Sequence, residues 1–205
     1  MRANNYFDLA VQKAFLSGVP GCVEHTAKLD EVIRHAHKNK REICISFIDL
    51  ENAYGSVKHN LFQFALSWYW VPPSICSLFY DYYERQVAQV CTDDWTTGWF
   101  QMAIGALQGC TASTGLFGIA FNVLLDGLRV PQLERLGYEL APGAPRLLNT
   151  AFADDVAAIT ETPEGNQIVI NRFQELLTWT GSMRLKPVKC RSLALHKSTS
   201  GPHGT

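Results

Sequence analysis

Leu147-Leu148-Asn149-Thr150-Ala151-Phe152-Ala153-Asp154-Asp155-Val156-Ala157-Ala158-Ile159-Thr160 is the stretch that decides the fold. Two adjacent acids interrupt an otherwise apolar run, and flanks of this kind pair across a hairpin and leave the acids at its tip. Two like charges at the mouth of a core are costly unless a cation or basic group meets them. A divalent metal is the natural partner, since Mg²⁺ prefers carboxylate oxygens together with substrate phosphates. An isolated Asp-Asp pair is more often a plain polar turn, because turns favour Asp. The rest of the chain has to decide between the two.

Upstream, Glu42 to Leu50 (EICISFIDL) is a short apolar, β-branched run that follows the charged turn NKRE. It reads as a central strand with Asp49 at its end. If the two strands are neighbours, Asp49 lies beside the hairpin tip. Three carboxylates around two metals suit phosphoryl transfer, one metal activating an attacking hydroxyl and the other stabilising the leaving oxygen. The bland counterpart is that Asp49 merely ends a strand.

The remaining elements follow from periodicity. Residues 24–39 place Ala27, Val32, Ile33 and Ala36 on a helical stripe, with acids early and Lys38 late as the helix dipole favours. His35 and His37 are one residue apart in that helix, so they face different ways, cannot share a metal, and are expected to be solvated. Ser56 to Trp70 carries Val57, Leu61, Phe64, Ala65 and Trp68 at helical spacing, and Pro72-Pro73 stops it before a second helix over Ser74 to Arg85. Gln86 to Gly105 reads as a strand pair around Asp93-Asp94, and Thr111 to Arg129 as a long buried helix ended by Pro131. Pro163 to Thr180 is a helix with its proline in the first turn, and Arg184 to Leu195 a short basic strand region. No internal repeat or dividing linker is visible. The order predicts an α+β domain, a mostly antiparallel sheet with helices packed on one face.

Composition sets the outer limits. With 205 residues and 47% hydrophobic content the chain can bury a substantial core in one domain, taken as residues 1–197, and the Gly/Ser/Pro-rich tail 198–205 is expected to be disordered. A formal charge of −1 gives no sign of the basic surface that phosphate neutralisation demands of a complete nucleic-acid enzyme. The six cysteines are scattered, with no CxxC pair and no zinc-type spacing, which reads as reduced thiols in an intracellular protein of cytoplasm or nucleus. No run approaches the roughly 18 apolar residues of a membrane span, and no signal pattern precedes the first helix.

At this point the chain resembles a family. Phe152-Ala153-Asp154-Asp155 is similar to the [YF]-x-D-D signature of reverse transcriptases, and Phe47-Ile48-Asp49-Leu50-Glu51-Asn52-Ala53-Tyr54-Gly55-Ser56-Val57 resembles their first palm motif. Gly105-Ala106-Leu107-Gln108-Gly109-Cys110-Thr111-Ala112-Ser113-Thr114-Gly115-Leu116-Phe117 resembles the second motif, and Leu185-Lys186-Pro187-Val188-Lys189-Cys190 the fourth. Gln12-Lys13-Ala14-Phe15-Leu16, Gly18 and Gly21-Cys22 resemble the lead-in of the non-LTR retrotransposon type. Each match is weak alone. Together they stand in the family's order over residues 12 to 195, which a chance acid pair would not do.

The resemblance implies a reverse-transcriptase-like palm acting as RNA-directed DNA polymerase. Asp49, Asp154 and Asp155 would hold two Mg²⁺, with Mn²⁺ as a substitute, while the 3′-hydroxyl of a DNA primer on an RNA template attacks a deoxynucleoside triphosphate. Tyr54 would be an aromatic gate beneath the sugar, or else a packing residue. Gln108 and Gly109 would lie against the nucleotide and template base, or form an ordinary helix entry. Phe152 and Ala153 would border the primer terminus, or Phe152 would be plain core, and Lys189 would serve the departing pyrophosphate, or else be a solvated lysine. The basic run Arg184, Lys186, Lys189, Arg191 and Lys197 suits a nucleic-acid backbone and an aggregation-resistant edge strand equally.

Three departures bear on this. Gly55 sits where many relatives have a second acid, and Thr114-Gly115 where Ser-Pro usually leads into the helix. The resemblance also implies that complete fingers and a thumb are not expected within this stretch, which would account for its near-neutral charge. The alternative is therefore an inactive or domesticated remnant that binds nucleic acid or serves as a structural module. A phosphoacceptor receiver domain is disfavoured, because its paired acids would precede the single one on a parallel sheet. Oligomeric state is left open.

Overall fold

The computed structural model describes residues 8–14, 18, 21–107 and 109–196. Phe15, Leu16, Gln108, Lys197 and the tail 198–205 lie outside the described residues. The elements run α1 (Cys22–Lys38), β1 (Ile43–Ile48), α2 (Ala53–Ser56), α3 (His59–Trp68), α4 (Pro73–Glu84), β2 (Val87–Ala88), β3 (Phe100–Gln101), α5 (Thr111–Asp126), α6 (Pro131–Glu134), β4 (Asn149–Phe152), β5 (Asp155–Thr160), α7 (Pro163–Trp179) and β6 (Arg191–Leu195).

The main sheet has the order β4-β5-β1-β6, and every neighbouring pair in it is antiparallel. β1 is thus interior, as its nearly continuous apolar run predicts. Alternation along the strands sends residues to opposite faces. Ile48, Val156 and Ala158 pack into the larger core with Leu116, Phe117 and Phe121 of α5 and Phe173 and Leu177 of α7. Ile43, Ile45 and Ile159 point the other way, onto Val32 and Ala36 of α1 and Tyr138. The helical layer of α3, α5 and α7 therefore lies on one face, and α1 covers one end of the other.

A buried polar tie holds the layers together. Asn166, near the start of α7, donates its side-chain amide to the carbonyls of Cys44 and Ala158 (both 3.2 Å), and its Oδ1 accepts from Ser46 Oγ at 2.5 Å. Ser46 and Ser192 hydroxyls are 2.7 Å apart, so one side chain of α7 is linked to β1 and β5 directly and to β6 through Ser46.

Several local details differ from the periodicity reading. The buried line on α1 is His25, Val32 and Ala36 with Leu29 packed beside them, whereas Ala27 is exposed. The helix expected over 56–70 is split, because Val57 and Lys58 adopt extended backbone and pair with the chain ahead of α5 through Gly105 N to Val57 O (2.7 Å) and a Lys58–Ile104 bridge. α3 buries Leu61, Phe62, Ala65 and Leu66, while Phe64 and Trp68 are 40% and 56% exposed. Pro131 opens α6 instead of closing α5, which fits proline's suitability for the first helical position. His35 is not simply solvated: its Nδ1 is 2.9 Å from the Tyr138 hydroxyl.

Candidate active site

The ladder of β1 and β5 ends at the pair Ile48–Val156, and the next residue on each strand is an acid, Asp49 on one and Asp155 on the other. Pleating puts both on the face that α1 only partly covers. They line one cleft of about 560 Å³ with Phe47, Phe152, Lys189 and Arg191, closed on the far side by Cys22, His25, Thr26 and Leu29 of α1. Asp154 sits in the two-residue hairpin turn beside them. Burial pushes its carboxyl above the usual carboxylate range, and the negative charges of Asp155 and Asp49 add to the rise.

The turn itself is unusual in that Ala153 has φ 57°, the left-handed region that alanine rarely enters. Phe152 lies half-exposed with its ring against Gly21, where a Cβ would come within 2.9 Å of Phe152 Cε2. Tyr54 stacks on Phe117 (ring centroids 4.0 Å apart, 13° between planes), and burial together with the charge of Asp154 pushes its phenol up. The stacking bears out the packing reading of Tyr54, and the influence of Asp154 places the ring within electrostatic reach of that acid.

The fourth-motif segment is pinned onto Asp49. Lys186 N donates to Asp49 O at 2.9 Å, Glu51 N to Arg184 O at 2.9 Å, and Leu50 bridges Leu185. A turn over 186–190 then carries Lys189 so that its Nζ is 3.6 Å from Asp49 Oδ2, a buried oxygen that accepts no hydrogen bond. Gly109 is exposed at φ 86° ahead of α5, apart from this cleft's lining. Gln108 lies outside the described residues.

The three acids fit a divalent cation in kind, being hard oxygen donors with one oxygen unsatisfied. Among the described residues, however, no three carboxylate, thiol or imidazole groups stand close enough to enclose a metal ion. The sequence assigns no role to Gln12 or His25, both buried against the hairpin; a polar side chain in a short lead-in, or in the first turn of α1, carries no signal of burial. The Gly55 departure has a local account: a Cβ there would meet the Asn52 side chain at 2.2–2.7 Å, so Asn52 occupies the space beside the glycine.

An antiparallel sheet with acids at one end of its central strands and helices behind it has the architecture of a polymerase palm. The chain belongs to the reverse transcriptase family: residues 7–200 match the family described as "Reverse transcriptase (RNA-dependent DNA polymerase)". It is 28% identical over 184 residues to the Retrovirus-related Pol polyprotein from type-2 retrotransposable element R2DM of Drosophila melanogaster, and equally to that of a type-1 element R2 of Nasonia vitripennis. Each alignment covers 90% of this chain and 17% of the relative, so the chain spans about a sixth of the proteins it resembles. The fold is shared with apo telomerase from Candida tropicalis (TM-score 0.64, 12% identity, 89% of this chain and 34% of that one). Telomerase from Candida albicans in complex with a TWJ fragment of telomeric RNA gives a TM-score of 0.63 at 12% identity, with 88% of this chain and 31% of that one covered.

Proposed function

We propose that this domain is the palm of an RNA-directed DNA polymerase of the R2 retrotransposon type, extending the 3′-hydroxyl of a DNA primer on an RNA template with deoxynucleoside triphosphates. The observation that carries the reading is the placement of Asp49 and Asp155 directly beyond the last pair of the β1–β5 ladder, with Asp154 in the adjoining turn. Asp49, Asp154 and Asp155 would hold Mg²⁺, or Mn²⁺ in its place, which when bound would supply Lewis-acid activation of the attacking hydroxyl and charge stabilisation at the leaving oxygen.

The chain's own groups serve the rest. Tyr54, fixed by stacking on Phe117, presents a rigid ring where a sugar approaches the acids and leaves no room for a 2′-hydroxyl. Phe152 and Ala153 border the primer terminus, and Gln108 and Gly109 lie toward the nucleotide and template base. Lys189, held on the 186–190 turn, brings a proton and a positive charge to the pyrophosphate side. Six free cysteines agree with an intracellular setting.

One observation favours the second reading, a nucleic-acid-binding remnant without catalysis: Lys189 already faces Asp49 at 3.6 Å. Primer extension on an RNA template separates the two. The polymerase reading expects Mg²⁺-dependent extension that disappears in Asp154→Ala and Asp49→Ala. Equal Mg²⁺ binding by wild type and Asp154→Ala would show that the metal assignment is wrong.

A further inference from the structure

We infer that Gln12 is a positioning residue: by clamping the peptide groups of Ala153 it fixes the turn that aims Asp154 and Asp155. The inference rests on the polymerase reading for its purpose, but the clamp is a matter of geometry. Gln12 is fully buried at 0% exposure. Its Nε2 donates to Ala153 O at 3.0 Å, and its Oε1 accepts from Ala153 N at 3.0 Å and from Ala14 N at 3.0 Å. A single amide therefore satisfies both the donor and the acceptor of the one hairpin residue that lies in the left-handed region.

The rest of the lead-in holds the strand that enters the turn. Ala151 N donates to Val11 O (2.8 Å) and Lys13 N to Ala151 O (3.1 Å), so Gln12 joins the edge of β4 in parallel. His25 Nε2 makes a further contact with Ala151 O at 3.0 Å. Alternative turn conformations would rotate the Ala153 peptides and swing the following carboxylates. Each such rotation has to break hydrogen bonds to Gln12, and because that side chain is fully buried its amide does not readily recover the lost partners from water. No other side chain type substitutes fully: a glutamate offers only acceptors when ionised, and a methionine fills the volume with neither donor nor acceptor.

The test uses the 205-residue chain and two readouts that need no turnover. Amide hydrogen exchange at Ala153 reports the clamp, and Mn²⁺ affinity measured by electron paramagnetic resonance reports the aim of the acids. In Gln12→Met, exchange at Ala153 is expected to accelerate at least about tenfold while Ala158 in β5 is unchanged. Mn²⁺ should bind about tenfold more weakly, the scale seen when support behind metal ligands is removed. Leu133→Ala, a core truncation in α6, is the control for general destabilisation and should alter neither readout selectively. The clamp is overturned if Gln12→Met keeps wild-type values, or if Leu133→Ala reproduces its losses. Should the methionine variant fail to fold, Gln12→Asn carries the same expectation and the same refutation, its amide being one methylene too short to reach. A wild type that binds no Mn²⁺ overturns the two-metal reading alone, and exchange at Ala153 still decides the clamp.

Discussion

Lys189 Nζ lies 3.6 Å from Asp49 Oδ2, and that carboxylate oxygen accepts no hydrogen bond. If Asp49 holds a cation as proposed, the Lys189 ammonium would compete with it for that oxygen. Because the Lys189 side chain is 60% exposed, the competition is weak, about 0.2–1 kcal/mol by analogy with exposed pairs. Lys189→Met should therefore tighten Mn²⁺ binding roughly 1.4- to 5-fold, while slowing primer extension if Lys189 serves the pyrophosphate as proposed. Titration calorimetry beside single-turnover extension checks both; weaker Mn²⁺ binding in the variant would contradict the competition.

Asp154 has a pH signature of definite sign. Its folded carboxyl titrates above the unfolded value, through burial first and through Asp155 and Asp49 next. Below the unfolded value both states are protonated and the fold has its full stability; that stability is lost as pH rises through the raised folded value. Asp154→Asn removes the loss, so the variant should melt higher than wild type at about pH 7 and converge with it near about pH 3. A variant melting lower at neutral pH would mean that the carboxylate is stabilised in the metal-free fold.

Asn166→Ala should destabilise the sheet by about 2–3 kcal/mol, since two carbonyls and the Ser46 hydroxyl each lose a buried partner. The corresponding fall in melting temperature is roughly 4–12 °C for a domain of this size. Urea unfolding with an unchanged slope would confirm a change of stability and not of compactness.

Cys110 is the thiol to watch in chemical labelling. The Tyr82 hydroxyl, followed by backbone and hydroxyl groups of Ser113 at the start of α5, draws its pKa down to about 7. Its alkylation rate should rise through a midpoint near about 7, whereas an ordinary thiol keeps accelerating toward about 8.5. Tyr82→Phe should move the midpoint upward and slow labelling at neutral pH. Mass spectrometry of the labelled peptides reads out both, and an unmoved midpoint would remove Tyr82 as the cause.

The strands and the carboxylate hairpin were legible because a buried strand can only be an apolar run, and acids that end one have few places to go. That Asp49 lies beside the hairpin depended on the two strands being neighbours, a relation the β1–β5 ladder supplies. The buried side of α3 was not legible, since Phe62 and Leu66 compete with Phe64 and Trp68 for the same periodicity, and the exposed pair finds partners in each other and, for Phe64, in Trp179. Nor was the break at Val57, whose side chain is as buried in extended backbone as it would be in a helix. Ala153 does not announce a left-handed turn as glycine or asparagine would. What permits it there is contact with a residue 141 positions away.

That separation has a consequence for how the molecule is made. Residues 8–14 leave the ribosome well before their hydrogen-bonding partners at 151–153 are synthesised. Bringing them together closes a very long loop, which favours late assembly. The acid-bearing turn should thus be among the last parts of the domain to reach its final shape, after the helices behind the sheet have packed.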